Sequence, residues 1–103
     1  MVTIGMNYKV IKGKEQVFEN AFHKVTRALE GVDGHVKSHV FRDVNDPQHY
    51  LIISQWSKRS AFDAFMASEA FRKTAAWGKE EVLSDRPHHE IYGGDEPTPK
   101  TRN

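Results

Sequence analysis

Apolar and polar residues alternate from the start of the chain: Val2, Ile4, Met6, Tyr8 and Val10 fall against Thr3, Gly5, Asn7 and Lys9. A period of two predicts a strand over residues 2–11 with one apolar face. Lys12-Gly13-Lys14 makes a turn, and from Glu15 the period becomes helical, with Phe18, Phe22, Val25 and Leu29 in one stripe. Gly31-Val32-Asp33-Gly34 ends that helix. Val36 to Val44 reads as a second strand, and Asn45-Asp46-Pro47 as the turn into a third strand from His49 to Trp56.

The stretch from 50 to 77 organises the rest. Its strand stops at Trp56, after which Ala61, Phe62, Phe65 and Met66 recur at helical spacing. Ser57 is the predicted N-cap, with Ser60 and Asp63 forming a capping pattern just inside it. Ser68 caps a further turn or two through Phe71, Ala75 and Trp77, ended by Gly78. Ser84-Asp85-Arg86-Pro87 breaks the pattern, and His88 to Tyr92 reads as a short last strand. Residues 93–103 carry glycines, prolines and mixed charge and are predicted to be a disordered tail, leaving 1–92 as a single domain.

The predicted order is β-α-β-β-α-β. It defines an α+β, ferredoxin-like fold: a four-stranded antiparallel sheet with both helices on one face. Tyr50, Ile52 and Trp56 alternate with Leu51 and Ile53, so both sheet faces are partly apolar. A second copy packed sheet to sheet covers the face that the helices leave open, which predicts a two-fold homodimer.

Composition narrows the functions. A chain of 103 residues holds one core. Its 15 basic and 14 acidic residues leave a net charge of +1, too little field to select nucleic acid or an anionic membrane. No apolar run approaches membrane-spanning length and no signal peptide is visible, so the expectation is no membrane partner and a cytoplasmic location. The absence of cysteine excludes disulfides, thiolate nucleophiles and iron–sulfur clusters.

Six histidines are present, none at H-E-x-x-H spacing, and no bound metal is expected. His39 and His49 flank the hairpin turn, where adjacent strands would let them meet. No G-x-S-x-G stretch or phosphate-cradling glycine loop occurs. Tyr8, Phe41 and Tyr50 lack the glycine–aromatic signature of a nucleic-acid-binding sheet. What remains is Asn7, an amide in an apolar strand that needs a partner if it faces inward, and Trp56, a large flat surface with one N–H donor. Phe65, Met66 and Phe71 supply adaptable apolar walls. These describe an apolar pocket with one or two polar handles. The competing reading is that Trp56, Phe62 and Phe71 are simply core.

Trp56-Ser57-Lys58-Arg59-Ser60-Ala61-Phe62, followed by Ser68-Glu69-Ala70-Phe71, resembles the W-x-S-x-x-A-F…S-x-x-F signature of the antibiotic biosynthesis monooxygenase (ABM) superfamily. Glu30-Gly31-Val32-Asp33-Gly34 is similar to the turn in its heme-degrading branch. The resemblance runs from residue 2 to about 92 and implies a dimeric α+β barrel with a pocket under the helices of each subunit. Some family members oxidise polycyclic aromatic substrates with O2 and neither metal nor flavin. The resemblance then implies Asn7 and Trp56 as catalytic residues, and Phe22, Phe62, Phe65, Met66 and Phe71 are the expected substrate-binding walls beside them. Other members bind heme through a histidine shortly after the S-x-x-F, where this chain has Ala75. The expected activity is therefore cofactor-independent oxidation of a small apolar or aromatic molecule with O2. Heme binding or degradation is the first alternative. A non-catalytic ligand-binding or interaction domain of the same fold is the second.

Overall fold

The computed structural model describes residues 1–93. The order is β1 (Val2–Lys9), α1 (Glu15–Leu29), β2 (His35–Asp43), β3 (Asp46–Trp56), α2 (Arg59–Met66), α3 (Glu69–Glu81) and β4 (His88–Gly93). The four strands form one antiparallel sheet in the order β2-β3-β1-β4. This is the expected α+β ferredoxin-like fold, with the segment after β3 divided into two helices. The predicted tail lies, from residue 94 onward, outside the described residues.

Strand register fixes the two faces. Val2, Ile4, Met6 and Tyr8 pair with Trp56, Ser54, Ile52 and Tyr50, so these eight side chains share one face. Val2, Ile4, Tyr50 and Trp56 are almost completely buried there, with Phe18 and Leu29 of α1 and Phe62 of α2 packed into the same core. The odd-numbered residues of β1 and β3 lie on the other face. Leu51 and Ile53 are half-buried there, while Phe41 and Tyr92 stand more than half exposed.

Local chemistry moves several predicted boundaries. The hairpin turns at Val44-Asn45, where the Asp43 carboxylate accepts from the Asn45 N–H at 2.7 Å, and not at Asn45-Asp46-Pro47. Pro47 belongs to β3, in the irregular stretch between the Asp43–Asp46 and Arg42–Tyr50 pairs, where no ladder bond needs its missing N–H. Ser57 is not the N-cap of α2. Lys58 holds that position without a side-chain cap, while the Ser57 N–H donates to the Gly34 carbonyl at 2.7 Å.

Ser68 does cap α3, accepting from the Phe71 N–H at 3.3 Å. Gly78 does not end that helix. Val82 is fully buried, and its carbonyl accepts from Ile11 N–H at 2.8 Å; this anchor outweighs the ~1 kcal/mol that a mid-helix glycine costs. At Gly34 a side chain is excluded twice over: φ is +90°, and an added Cβ would lie 2.4 Å from that of Ala61. The close passage seats the start of α2 against the end of β3.

Candidate functional site

Between the sheet and the helices lies a cavity of about 350 Å³ whose lining atoms are overwhelmingly apolar. Its floor is the shared face of β1 and β3, including Met6, Tyr8, Ile52 and Trp56. Phe18 and Phe22 wall it from α1, Phe62, Phe65 and Met66 from α2, and Phe71, Ala75 and Trp77 from α3. Its origin is legible in α3: none of that helix's residues is fully buried, so the helix stands away from the sheet.

All six residues expected at the pocket other than Asn7 line this cavity: Trp56, Phe22, Phe62, Phe65, Met66 and Phe71. Trp56 is 1% exposed and meets Phe62 and Phe65 with ring centroids 5.7 Å away in each case. Its indole N–H donates to Ser54 Oγ at 3.1 Å and is thereby occupied. So Trp56 is core and cavity wall at once.

The expected cavity bounded by Asn7, Trp56 and Phe65 needs correction. Asn7 is odd-numbered on a strand whose even positions face the helices, and it pairs with Leu51 and His88 on the opposite face. There its Oδ1 accepts from His49 Nε2 at 3.1 Å, and His49 Nδ1 lies 3.4 Å from an Asp43 carboxylate oxygen. The Asp43 carboxyl is held below its usual range by the Asn45 N–H first and His49 second. His39 and His49 do not meet: His39 pairs with Ile53, four residues along β3 from His49. Among the described residues no group of three or more His, Cys, Asp or Glu side chains is placed to hold a metal.

The polar groups that do line the cavity are Tyr8, Ser38, Ser54, Thr74, Lys79 and His89. Sequence reasoning assigned none of them to the pocket. The signal lay in strand parity: Ser54 sits two residues before Trp56, and Ser38 faces Ser54 across the β2–β3 pair. His89 pairs with Met6 and packs edge-on to Phe62, centroids 6.0 Å apart. Among the described residues the Tyr8 hydroxyl reaches only the Met6 sulfur, at 3.7 Å, and burial pushes its pKa up to about 12.

A raised tyrosine pKa has a signed consequence. The folded protein keeps the Tyr8 proton when the unfolded chain has lost it, so stability falls as pH rises from the ordinary value of 10.0 through about 12. Tyr50 adds to the same alkaline loss, its pKa also pushed up to about 12, by burial first and then by its bond to Glu19, against the opposing pull of Arg42. Tyr8→Phe is expected to flatten, without abolishing, the fall in urea midpoint across that window. An unchanged slope would show that the phenol is solvated.

The chain is a ferredoxin-like α+β domain with an apolar hollow under its helices, within the size range of small-ligand pockets. The chain belongs to the antibiotic biosynthesis monooxygenase family, whose model matches residues 1–77. It is 38% identical over 87 residues to a Natronomonas pharaonis protein named "Putative heme-binding protein", covering 84% of this chain and 14% of that one. A Haloquadratum walsbyi protein of the same description is 34% identical over 87 residues, covering 84% of this chain and 16% of that one. The chain thus spans less than a fifth of these relatives' length.

Among solved structures, SnoaB from Streptomyces nogalater, described as a cofactor-independent oxygenase, has a TM-score of 0.78 at 20% identity, covering 96% of this chain and 97% of that one. A Methanosarcina mazei protein has a TM-score of 0.80 at 18% identity, covering 88% and 89%. Both show the same fold.

Proposed function

We propose that this protein is a monooxygenase that oxidises a small apolar, aromatic molecule with O2, using neither metal nor flavin, in the cavity between its sheet and helices. One observation carries the reading: α3 leaves Phe71 and Ala75 facing an apolar hollow of about 350 Å³ instead of packing onto the core. That volume is within the roughly 300–1,000 Å³ of small-ligand sites. Family membership and the structural likeness to a cofactor-independent oxygenase support the oxidative chemistry.

The reaction is driven by the substrate. An activated CH2 loses a proton, the carbanion gives an electron to O2, and the net change is CH2 plus O2 to C=O plus water. The aromatic walls keep water from the intermediate. Trp56 serves as a wall, its N–H being held by Ser54.

Oxygen uptake with a panel of anthrones and quinols tests the proposal. The wild type is expected to consume O2 with at least one of them, and Asn7→Ala to leave that rate unaltered. Binding of every compound with no uptake would make the domain a ligand-binding module instead.

The names of the archaeal relatives favour heme as a second reading. The cavity suits it poorly. Ala75 stands where the family ligand is expected, and the one imidazole on the lining among the described residues, His89, is packed edge-on against Phe62. Among the described residues, Lys79 is the only cation on the lining to meet two propionates. A hemin titration that yields a shifted Soret band lost in His89→Ala would reverse this judgement.

We also propose that two copies pair through the face the helices leave open. Phe41 and Tyr92 are 54% and 53% exposed there beside Leu51 and Ile53, an apolar area that a lone two-layer domain would leave wet. Sedimentation is expected to show a dimer, and Phe41→Asp a monomer. A monomeric wild type would discard the pairing.

A further inference from the structure

At the cavity's far edge, β2 carries a histidine–serine pair, His35 and Ser38. His35 Nε2 lies 2.8 Å from Ser38 Oγ, and the ring also donates to the Leu29 carbonyl. With one ring nitrogen committed as donor to Leu29, the neutral ring presents Nε2 as an acceptor, and the Ser38 hydroxyl donates to it. The ring packs edge-on against Trp56, centroids 5.1 Å apart, which fixes its orientation. A hydroxyl, a base and a group that orients the base stand in the sequence that activates an oxygen for proton transfer.

Ser38 reaches the cavity, whereas His35 stands behind it, half-buried, with access to water. Directly across the β2–β3 pair from Ser38 is Ser54, only 5% exposed and also on the lining. Its oxygen accepts from the Trp56 indole. Among the described residues its own proton has no acceptor, an unusual condition for so buried a hydroxyl. A ligand oxygen placed between these two serines meets one relay that removes a proton and one donor that stabilises the resulting anion.

We propose that the cavity ionises its ligand, a phenol or an enolisable aromatic ketone, by passing the ligand's acidic proton through Ser38 to His35. The O–H or α C–H bond of the ligand breaks and its electron pair stays on the ligand as phenolate or enolate. The proton goes to Ser38 Oγ as the Ser38 proton goes to His35 Nε2, leaving an imidazolium that returns its proton to water. The Ser54 hydroxyl then donates to the ligand oxyanion. Burial, opposed by the Leu29 carbonyl, holds the His35 pKa below the ordinary value, so the ring is a free base at neutral pH. No charged side chain contributes to that shift. Ser38 is the catalytic residue here and His35 the positioning base behind it.

The inference rests on the cavity being a ligand site, and the test separates the two. Anthrone is added to the full chain under nitrogen, with binding read from quenching of tryptophan fluorescence and ionisation from the enolate absorbance across a pH series. The wild type is expected to lower the apparent pKa of bound anthrone by about one unit, a tenfold gain in ionised fraction. Ser38→Ala and His35→Gln are each expected to erase that shift while binding persists, and Ser38→Thr, which keeps the hydroxyl, to retain it. Quenching with the same ionisation profile in all four proteins would overturn the relay and leave the cavity reading standing. Absence of quenching in the wild type would overturn both.

Discussion

Trp56→Ala is expected to cost about 3–5 kcal/mol of folding stability, the range for removing a large aromatic from a core. The residue is 1% exposed, ends the central strand β3, and contacts His35, Phe62 and Phe65 through its ring. Truncation removes those contacts and enlarges a space that is already hollow on one side. It also leaves the buried Ser54 oxygen without the indole N–H. For a domain of this size each kcal/mol lowers Tm by about 4–8 °C, so the variant is expected to melt roughly 12–40 °C below the wild type. Against a typical total of about 5–15 kcal/mol, this is a large share of the fold's stability. Calorimetry decides the matter. A loss under about 1 kcal/mol would show that the cavity lining is mobile and that Trp56 is a ligand-facing side chain with little structural role.

The frame of this fold was readable because burial imposes periods on the sequence. The even positions of β1 and the Phe18, Phe22, Val25, Leu29 stripe of α1 appear where the pattern places them. Boundaries were less readable because they are set by partners distant in sequence. Gly78 looks like a helix end, yet the helix continues past it because Val82 and Leu83 meet the end of β1, where Val10 bridges to Leu83. Ser57 looks like a cap until its N–H is seen on Gly34.

The site divides along the same line. Its aromatic walls follow from helical spacing after Trp56, and the resemblance to the family pointed to the same residues. Its polar groups do not, because a serine on a half-buried strand is ordinary in composition and becomes chemical only through what stands opposite. Ser38 and Ser54 are sixteen residues apart in a hairpin, and only the register makes them neighbours. Asn7 shows the reverse. The alternation had already placed it with Thr3, Gly5 and Lys9, away from the apolar set. The family resemblance pulled it inward, and the pleat of the strand put it out.

Ala75→Trp is expected to separate cavity from fold most cleanly. Ala75 lines the hollow from α3, one turn on from Phe71 and one turn before Gly78. An indole there projects into space that no side chain of the helix now fills. The helical propensity cost of the exchange is within about 0.7 kcal/mol, and new apolar contact offsets it, so Tm is expected to change little. Ligand entry is another matter, since an indole occupies much of a hollow near 350 Å³. Anthrone affinity is expected to fall at least about 100-fold, equivalent to roughly 2.7 kcal/mol, and oxygen uptake to vanish with it. An unchanged affinity in a folded variant would move the binding site elsewhere on the molecule. The companion exchange Ala75→His leaves the hollow largely open and supplies the imidazole that the heme-binding pattern lacks. It is expected to gain hemin affinity over the wild type, so one position, filled in two ways, discriminates an organic guest from an iron porphyrin.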